Sequence, residues 1–301
     1  MSARRPAFGL FQLLIALAFI LVLIAMLLPA VQKTREAAAR MQSQNNLKQI
    51  ALSLHNYADA NLRLPAGEDA NHFGTLAYLL PYVEQDAVYR RIDFKKSVDD
   101  EDNAAMRAVR IKVFMSPLDD KIEANRKWGA TSYMAVAGSN PALKDNNGIL
   151  YRESRTRFPD ITDGTSNTLL TIETLVGDGS KTAITPARQH IRLKANALKD
   201  IKDSAGVDDW KDGKNIAADR GGSWMDGRFL QSTVALNRTF NAEEPDVDCG
   251  GDGGLAGPRG LRQGFNVGMA DGSVRFISGT AQLSSLKALA TRSGGEVIND
   301  F

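Results

Sequence analysis

The chain has 301 residues and is 43% hydrophobic, enough for a packed core in one large domain or two small ones, so it is not a disordered chain. Lys and Arg number 37 against 35 Asp and Glu, a formal charge of +2, and no basic excess calls for a nucleic-acid partner. Three histidines (His55, His72, His190) and one cysteine (Cys249) lie far apart, which excludes zinc fingers, Cys-x-x-Cys redox pairs and an internal disulfide framework.

The first element is the most informative. Arg4 and Arg5 precede a run from Phe8 to Leu28 whose only clearly polar side chain is Gln12. Twenty-one residues at a helical rise of ~1.5 Å span roughly 32 Å, close to the thickness of a bilayer core. A secretory signal would have a shorter apolar region, of about 7 to 15 residues, ending at a small-x-small site. Here the apolar stretch runs instead through Pro29, Ala30 and Val31 into helical sequence, so a membrane-spanning helix is expected over 8–31. From Leu47 onward Ile50, Ala51, Leu54, Tyr57 and Ala58 keep a spacing of three and four, which predicts an amphipathic continuation of the helix over 32–58. Pro29 is expected to kink it.

The combination of the Arg-Arg start, the apolar helix ending Leu27-Leu28-Pro29-Ala30-Val31-Gln32, and then Arg35-Glu36-Ala37-Ala38 and Asn45-Asn46-Leu47-Lys48-Gln49-Ile50 resembles a bacterial family. Its members carry a prepilin-type N-terminal cleavage and methylation segment followed by domain of unknown function 1559. Leu79 to Gln85, Asp160 to Thr168, and Asn266-Val267 with Ala270 to Phe276 resemble the family's later motifs in the family's order. The resemblance implies leader processing at Ala7, Phe8 and Gln12, where the family has Gly, Phe and Glu. Gln12 thus replaces the carboxylate that in pilins pairs with a neighbouring subunit's N-terminal amine. The family's His, ten residues before the Asp of the terminal Asp-Gly, is Leu261 here, and its Cys before Pro117 is Ser116.

Beyond residue 58 the sequence predicts a strand-rich head domain over 59–301. Ser132 to Ala137 and Thr168 to Val176 are rich in aliphatic and β-branched residues and are expected to be strands. Phe265 to Ile277 reads as a hairpin. A two-residue turn at Asp271-Gly272 would pair Met269 with Val274 and Val267 with Phe276, with Asn266 and Gly268 on the other face. The stretch from about Lys181 to Arg220 lacks a strand pattern, with a short helix expected at Arg188 to Leu198. Residues 241–260 read as a long loop, and a last helix is expected at Ala281 to Thr291. The fold class expected is therefore α+β: a long N-terminal pilin-like helix, its first half membrane-spanning, packed on an antiparallel β-sheet head.

Candidate chemistry is sparse. Asp246, Asp248 and Asp252 are the only candidates for a metal, because alternate carboxylates can converge on Ca²⁺, yet Gly250 and Gly257 stand where an EF-hand needs ligands. Gly251 to Ala256 fits a loose phosphate fingerprint without the strand and helix that give it meaning. Gly164 to Thr168 lacks the nucleophile-elbow pattern, and Ser and Asn there are expected to bond local backbone. No histidine has a flanking pattern for a ligand or general base, and no catalytic residue and no cofactor is expected.

The expectation is thus a non-enzymatic, single-pass protein of the cytoplasmic membrane, with a basic leader over 1–7, its N-terminus cytoplasmic and its head extracytoplasmic. Expected partners are the lipid bilayer, like or related pilin-type subunits packing through the N-terminal helix as in a type II secretion or type IV pilus-like assembly, and a prepilin peptidase. The alternative is an anchored extracytoplasmic module that captures a sugar, a peptide or Ca²⁺ through loops such as 241–260.

Overall fold

Described in the computed structural model are residues 9–120, 128–180, 185–201, 213, 215–261 and 263–296, and of these the side chains at positions 10, 12 and 26 are left aside. The chain divides into two compact units, residues 1–41 and 42–301. A single helix, α1 (Leu10–Asn61), runs through both and continues past Pro29. It is the one helix among the described residues that is long and apolar enough to cross a membrane.

The two stretches of α1 meet different surroundings. From Leu13 to Leu28 the large apolar side chains described are between 47% and 66% exposed. In the second unit, Leu47, Ile50, Ala51, Leu54 and Ala58 are buried, matching the three-and-four stripe read from the sequence. The head unit therefore begins at residue 42, earlier than a boundary at 59 would place it.

Among the described residues nine strands follow: β1 (Tyr133–Gly138), β2 (Leu169–Glu173), β3 (His190–Leu193), β4 (Ile216–Ala217), β5 (Thr233–Ala235), β6 (Asp246–Cys249), β7 (Gly254–Leu255), β8 (Gly264–Met269) and β9 (Val274–Ser278). They form a five-stranded sheet in the order β5-β1-β2-β8-β9 and a four-stranded sheet in the order β4-β3-β6-β7. The fold is α+β, and its sheets are mixed where an antiparallel sheet was expected. β1 pairs with β5, and β3 with β6, in parallel, because long connections rather than hairpins bring these strands together.

In the first sheet β1, β2, β5 and β8 are buried on both faces, while the edge strand β9 is partly exposed. Tyr133, Ala135, Leu170 and Ala270 join Leu47, Ile50 and Leu54 of α1 in one core. Met134, Val136, Leu169, Ile172, Val267 and Met269 form another with Leu286 and Leu289 of the C-terminal helix Leu283–Ala290. Alternation along each strand thus separates two apolar layers rather than core from water. A polar cluster pins α1 to the sheet: the buried Glu173 accepts from Ser43 Oγ at 2.6 Å, Asn266 Nδ2 at 2.7 Å and Ser116 Oγ. Three donors offset the desolvation that an isolated buried carboxylate would suffer. Ser116, at the position of the family's Cys, is thereby a hydrogen-bond donor in the core.

The hairpin register differs by one residue from expectation. Gly268 faces Val274, Val267 faces Arg275 and Asn266 faces Phe276. Gly272 has φ +80°, and Met269 N–H donates to Ser273 at 2.9 Å, so the connection is a three-residue loop closed by a left-handed glycine rather than a two-residue turn. Residues 241–260 are likewise not all loop, since they carry β6 and β7. The region expected to lack strands carries β3 and β4, with a 3₁₀ turn at Ala195–Lys199 in place of the helix expected over 188–198.

Truncating the buried stripe of α1 tests its role. Leu54→Ala is expected to lower stability by about 2–5 kcal/mol, whereas Leu52→Ala, on the exposed side, should stay within about 0.5 kcal/mol, both read by chemical denaturation.

Candidate functional site

Two four-residue strands of the second sheet alternate in step. In His190-Ile191-Arg192-Leu193 and Asp246-Val247-Asp248-Cys249 the apolar residues join a small core with Leu255. The parallel register sets His190 beside Asp246 and Arg192 beside Asp248, so the opposite face is charged.

At one end of that face Asp246 is completely buried between two arginines. Arg259 Nη2 donates to it at 2.6 Å and Arg220 Nη1 donates to its other oxygen. Arg220 also reaches Thr174 Oγ1 at 2.9 Å, and Arg259 reaches the Glu244 carbonyl at 2.6 Å. Burial alone would raise the Asp246 carboxyl, but Arg259 and Arg220 outweigh it and hold it below the usual carboxylate range.

At the other end lies an open pocket of ≈ 300 Å³. Arg192 donates from Nε to Asp248 at 3.1 Å and from Nη2 to Asp219 at 2.9 Å, while Asp248 also accepts the Gly251 N–H at 2.7 Å. Arg228 grips the buried Asp226 through Nε at 2.9 Å and Nη2 at 2.6 Å. Trp128, Phe229, Gln231 and the backbone of Gly250 and Gly251 complete the lining. Both glycines have positive φ, +66° and +84°, where a side chain would be strained, so bare backbone faces the space.

The three aspartates named as metal candidates from the sequence take separate roles. Asp246 is consumed by its arginines, Asp248 lines the pocket, and Asp252 accepts from Arg152 Nη1 at 2.6 Å, a guanidinium that also binds the buried Glu68 at 2.6 Å. Among the described residues no three His, Cys, Asp or Glu side chains converge so as to hold a metal. Gly251 to Ala256 runs into β7 with no helix behind it. Asn167 bonds the local carbonyl of Asp163, as read from the sequence, and Thr168 bonds that of Gly164. His55 stacks on Phe158, and His72 contacts Glu68 at 2.5 Å. Ala7 and Phe8 lie outside the described residues, as does the side chain of Gln12. Cys249 is a buried thiol, pushed up to about 11 by burial and then by Asp248 and Asp252, which keeps it protonated. Trp128, Arg192, Asp219, Arg228 and Gln231 were missed. The only local signal was the alternation of His190 to Leu193 and Asp246 to Cys249.

Two tests address this charged face. Asp246→Asn leaves two buried guanidinium groups without their counter-charge and is expected to lower stability by about 3–5 kcal/mol in chemical denaturation. The second test concerns His190, whose buried Nε2 lies 3.0 Å from Arg192 Nη2 and 3.5 Å from Asp219 Oδ1. Burial pulls this imidazole down to about 4; Asp219 opposes that, while Arg192 and Arg220 add to it. The unfolded chain takes up a proton below pH ~6.5 that the folded chain refuses until about pH 4. This contribution to stability is whole above pH ~6.5 and is lost as pH falls toward 4, by up to about 3 kcal/mol. Urea titrations across that interval should show the loss in the parent chain and a shallower slope in His190→Gln.

No curated protein and no solved structure gives a significant match to the chain. A family match does cover residues 32–283, including the buried half of α1, both sheets and the pocket, and the chain belongs to that family, described as protein of unknown function (DUF1559).

Proposed function

We propose that this chain is a non-enzymatic, membrane-anchored envelope protein of pseudopilin-like organisation, its head on the outer side of the cytoplasmic membrane. One observation carries the reading: a single helix is exposed and apolar over Leu13 to Leu28, then buries a stripe from Leu47 to Ala58 in the head unit. In water the first stretch would expose more contiguous apolar surface than soluble proteins display, whereas in lipid the same surface is solvated. Arg4 and Arg5 favour a cytoplasmic N-terminus, while Lys33, Arg35 and Arg40 on the other flank weaken that bias, so orientation leans on the prepilin resemblance. Lateral packing of the apolar helices is the mode of assembly that this organisation provides. The neutral Gln12 amide removes the charge pairing that would draw a pilin into a filament, which favours a stand-alone anchor or a weakly held subunit.

A second reading, capture of a small ligand by the head, is favoured by the pocket beside Asp219 and Asp248, where polar groups converge. It is compatible with the anchor.

The anchor is tested in bacteria producing the full chain. The protein should stay in the membrane pellet through an alkaline carbonate wash, its head should be cut by protease added to spheroplasts, and a chain lacking residues 1–31 should leave the pellet. A full-length chain that is monodisperse in detergent-free buffer would overturn the reading. Intact mass of the purified membrane form then separates a processed, N-methylated chain starting at Phe8 from an unprocessed anchor.

A further inference from the structure

Gln231 is 8% exposed, lines the ≈ 300 Å³ pocket, and its side-chain amide makes no hydrogen bond among the described residues. Its amide is not among the fully buried polar atoms left without a partner, so it faces the open space of the pocket with its donor and acceptor available. The group open to it is whatever enters the pocket.

The remaining lining defines that occupant's chemistry. Asp219, Asp226 and Asp248 are each already held by a guanidinium. Three carboxylates against two arginines leave a small negative excess, and Asp99, which also binds Arg228, adds to it. An anionic ligand is therefore disfavoured. A cation would have to compete with arginines already fixed in two-point contacts. The Nη1 groups of Arg192 and Arg228 make no hydrogen bond among the described residues, and the carboxylates keep spare lone pairs. Donors and acceptors thus both line the space. A hydroxyl group both donates and accepts, and adjacent hydroxyls on one ring satisfy such an array without bringing charge. Trp128, with the Arg107 guanidinium 4.9 Å from its ring centre, lines the pocket and offers an aromatic surface to the C–H groups of a ring. The volume lies at the small end for ligand pockets, which run from about 300 to 1,000 Å³.

From this juxtaposition we infer that the pocket bounded by Trp128, Arg192, Asp219, Arg228, Gln231 and Asp248 binds one neutral pyranose ring, as a free sugar or as the end of a glycan. The inference rests on the ligand-capture reading of the head and is independent of how the anchor assembles.

Full-length protein in a detergent without a sugar headgroup is titrated calorimetrically with glucose, galactose, mannose and N-acetylglucosamine, with glucosamine as cationic and glucuronate as anionic probe. Saturable binding of a neutral sugar is expected, weakened tenfold or more by Gln231→Leu and by Trp128→Ala. Trp128 is partly exposed and its variant should keep the parent's thermal midpoint, so loss of binding there is not loss of fold. Methyl glycosides of the bound sugar are then compared with the reducing sugar: equal affinity assigns the end of a glycan, and binding of the reducing sugar alone assigns a free one. Neutral sugars bound equally well by both variants would overturn the site. Binding of glucosamine or glucuronate alone, lost in the variants, would overturn the ligand class and leave ligand capture standing. No binding by any probe would sink both.

Discussion

One helix carries two different surfaces along its length, and the architecture of the head follows from the second. Over its first half α1 turns apolar side chains outward, and none of the described residues covers them. Over its second half the same helix concentrates Leu47, Ile50 and Leu54 on one face and closes a core with β1 and β2. Each such side chain contributes about 1.5–3 kcal/mol on burial. Apolar burial alone does not fix the helix against sliding; the Glu173 cluster does, because its carboxylate is satisfied only when Ser43, Ser116 and Asn266 arrive together. A directional polar contact inside an apolar layer sets register that greasy packing leaves loose.

The second sheet is built on the opposite principle. Its apolar core is small, and its other face is held by ion pairs among Arg220, Asp246, Arg259, Arg192, Asp219 and Asp248. Buried ion pairs are weak contributors to stability relative to well-packed apolar groups, because desolvation offsets much of the attraction. What they supply is rigidity of polar groups: guanidinium and carboxylate planes that stay where they are when a ligand arrives. That the same face ends in an open pocket is consistent with such a role.

The parts legible from sequence were those whose information is local. The apolar run before Pro29, the three-and-four stripe after Leu47, the strands around Met134 and Ile172, and the C-terminal helix each announce themselves within a short window. The hairpin was found but misregistered, because Asp271-Gly272 suits both a two-residue and a three-residue loop, and only the strand register in the fold, with Met269 N–H donating to Ser273, separates them. β6 and β7 were hidden by the Gly and Asp around them. β3 and β6 are only four residues long, too short for alternation to stand out. The pocket was not legible at all, since Trp128, Arg192, Asp219, Gln231 and Asp248 are brought together by tertiary pairing across more than a hundred residues.

The parallel pairing of β3 with β6 joins segments more than fifty residues apart, whereas the β8–β9 hairpin closes over a handful. Closure entropy grows with the length of the loop to be closed, and non-local strand pairing is slow for that reason. The charged face needs positions 190, 219, 220, 246 and 259 at once, so its ion pairs tie together segments that no single hairpin could bring into contact.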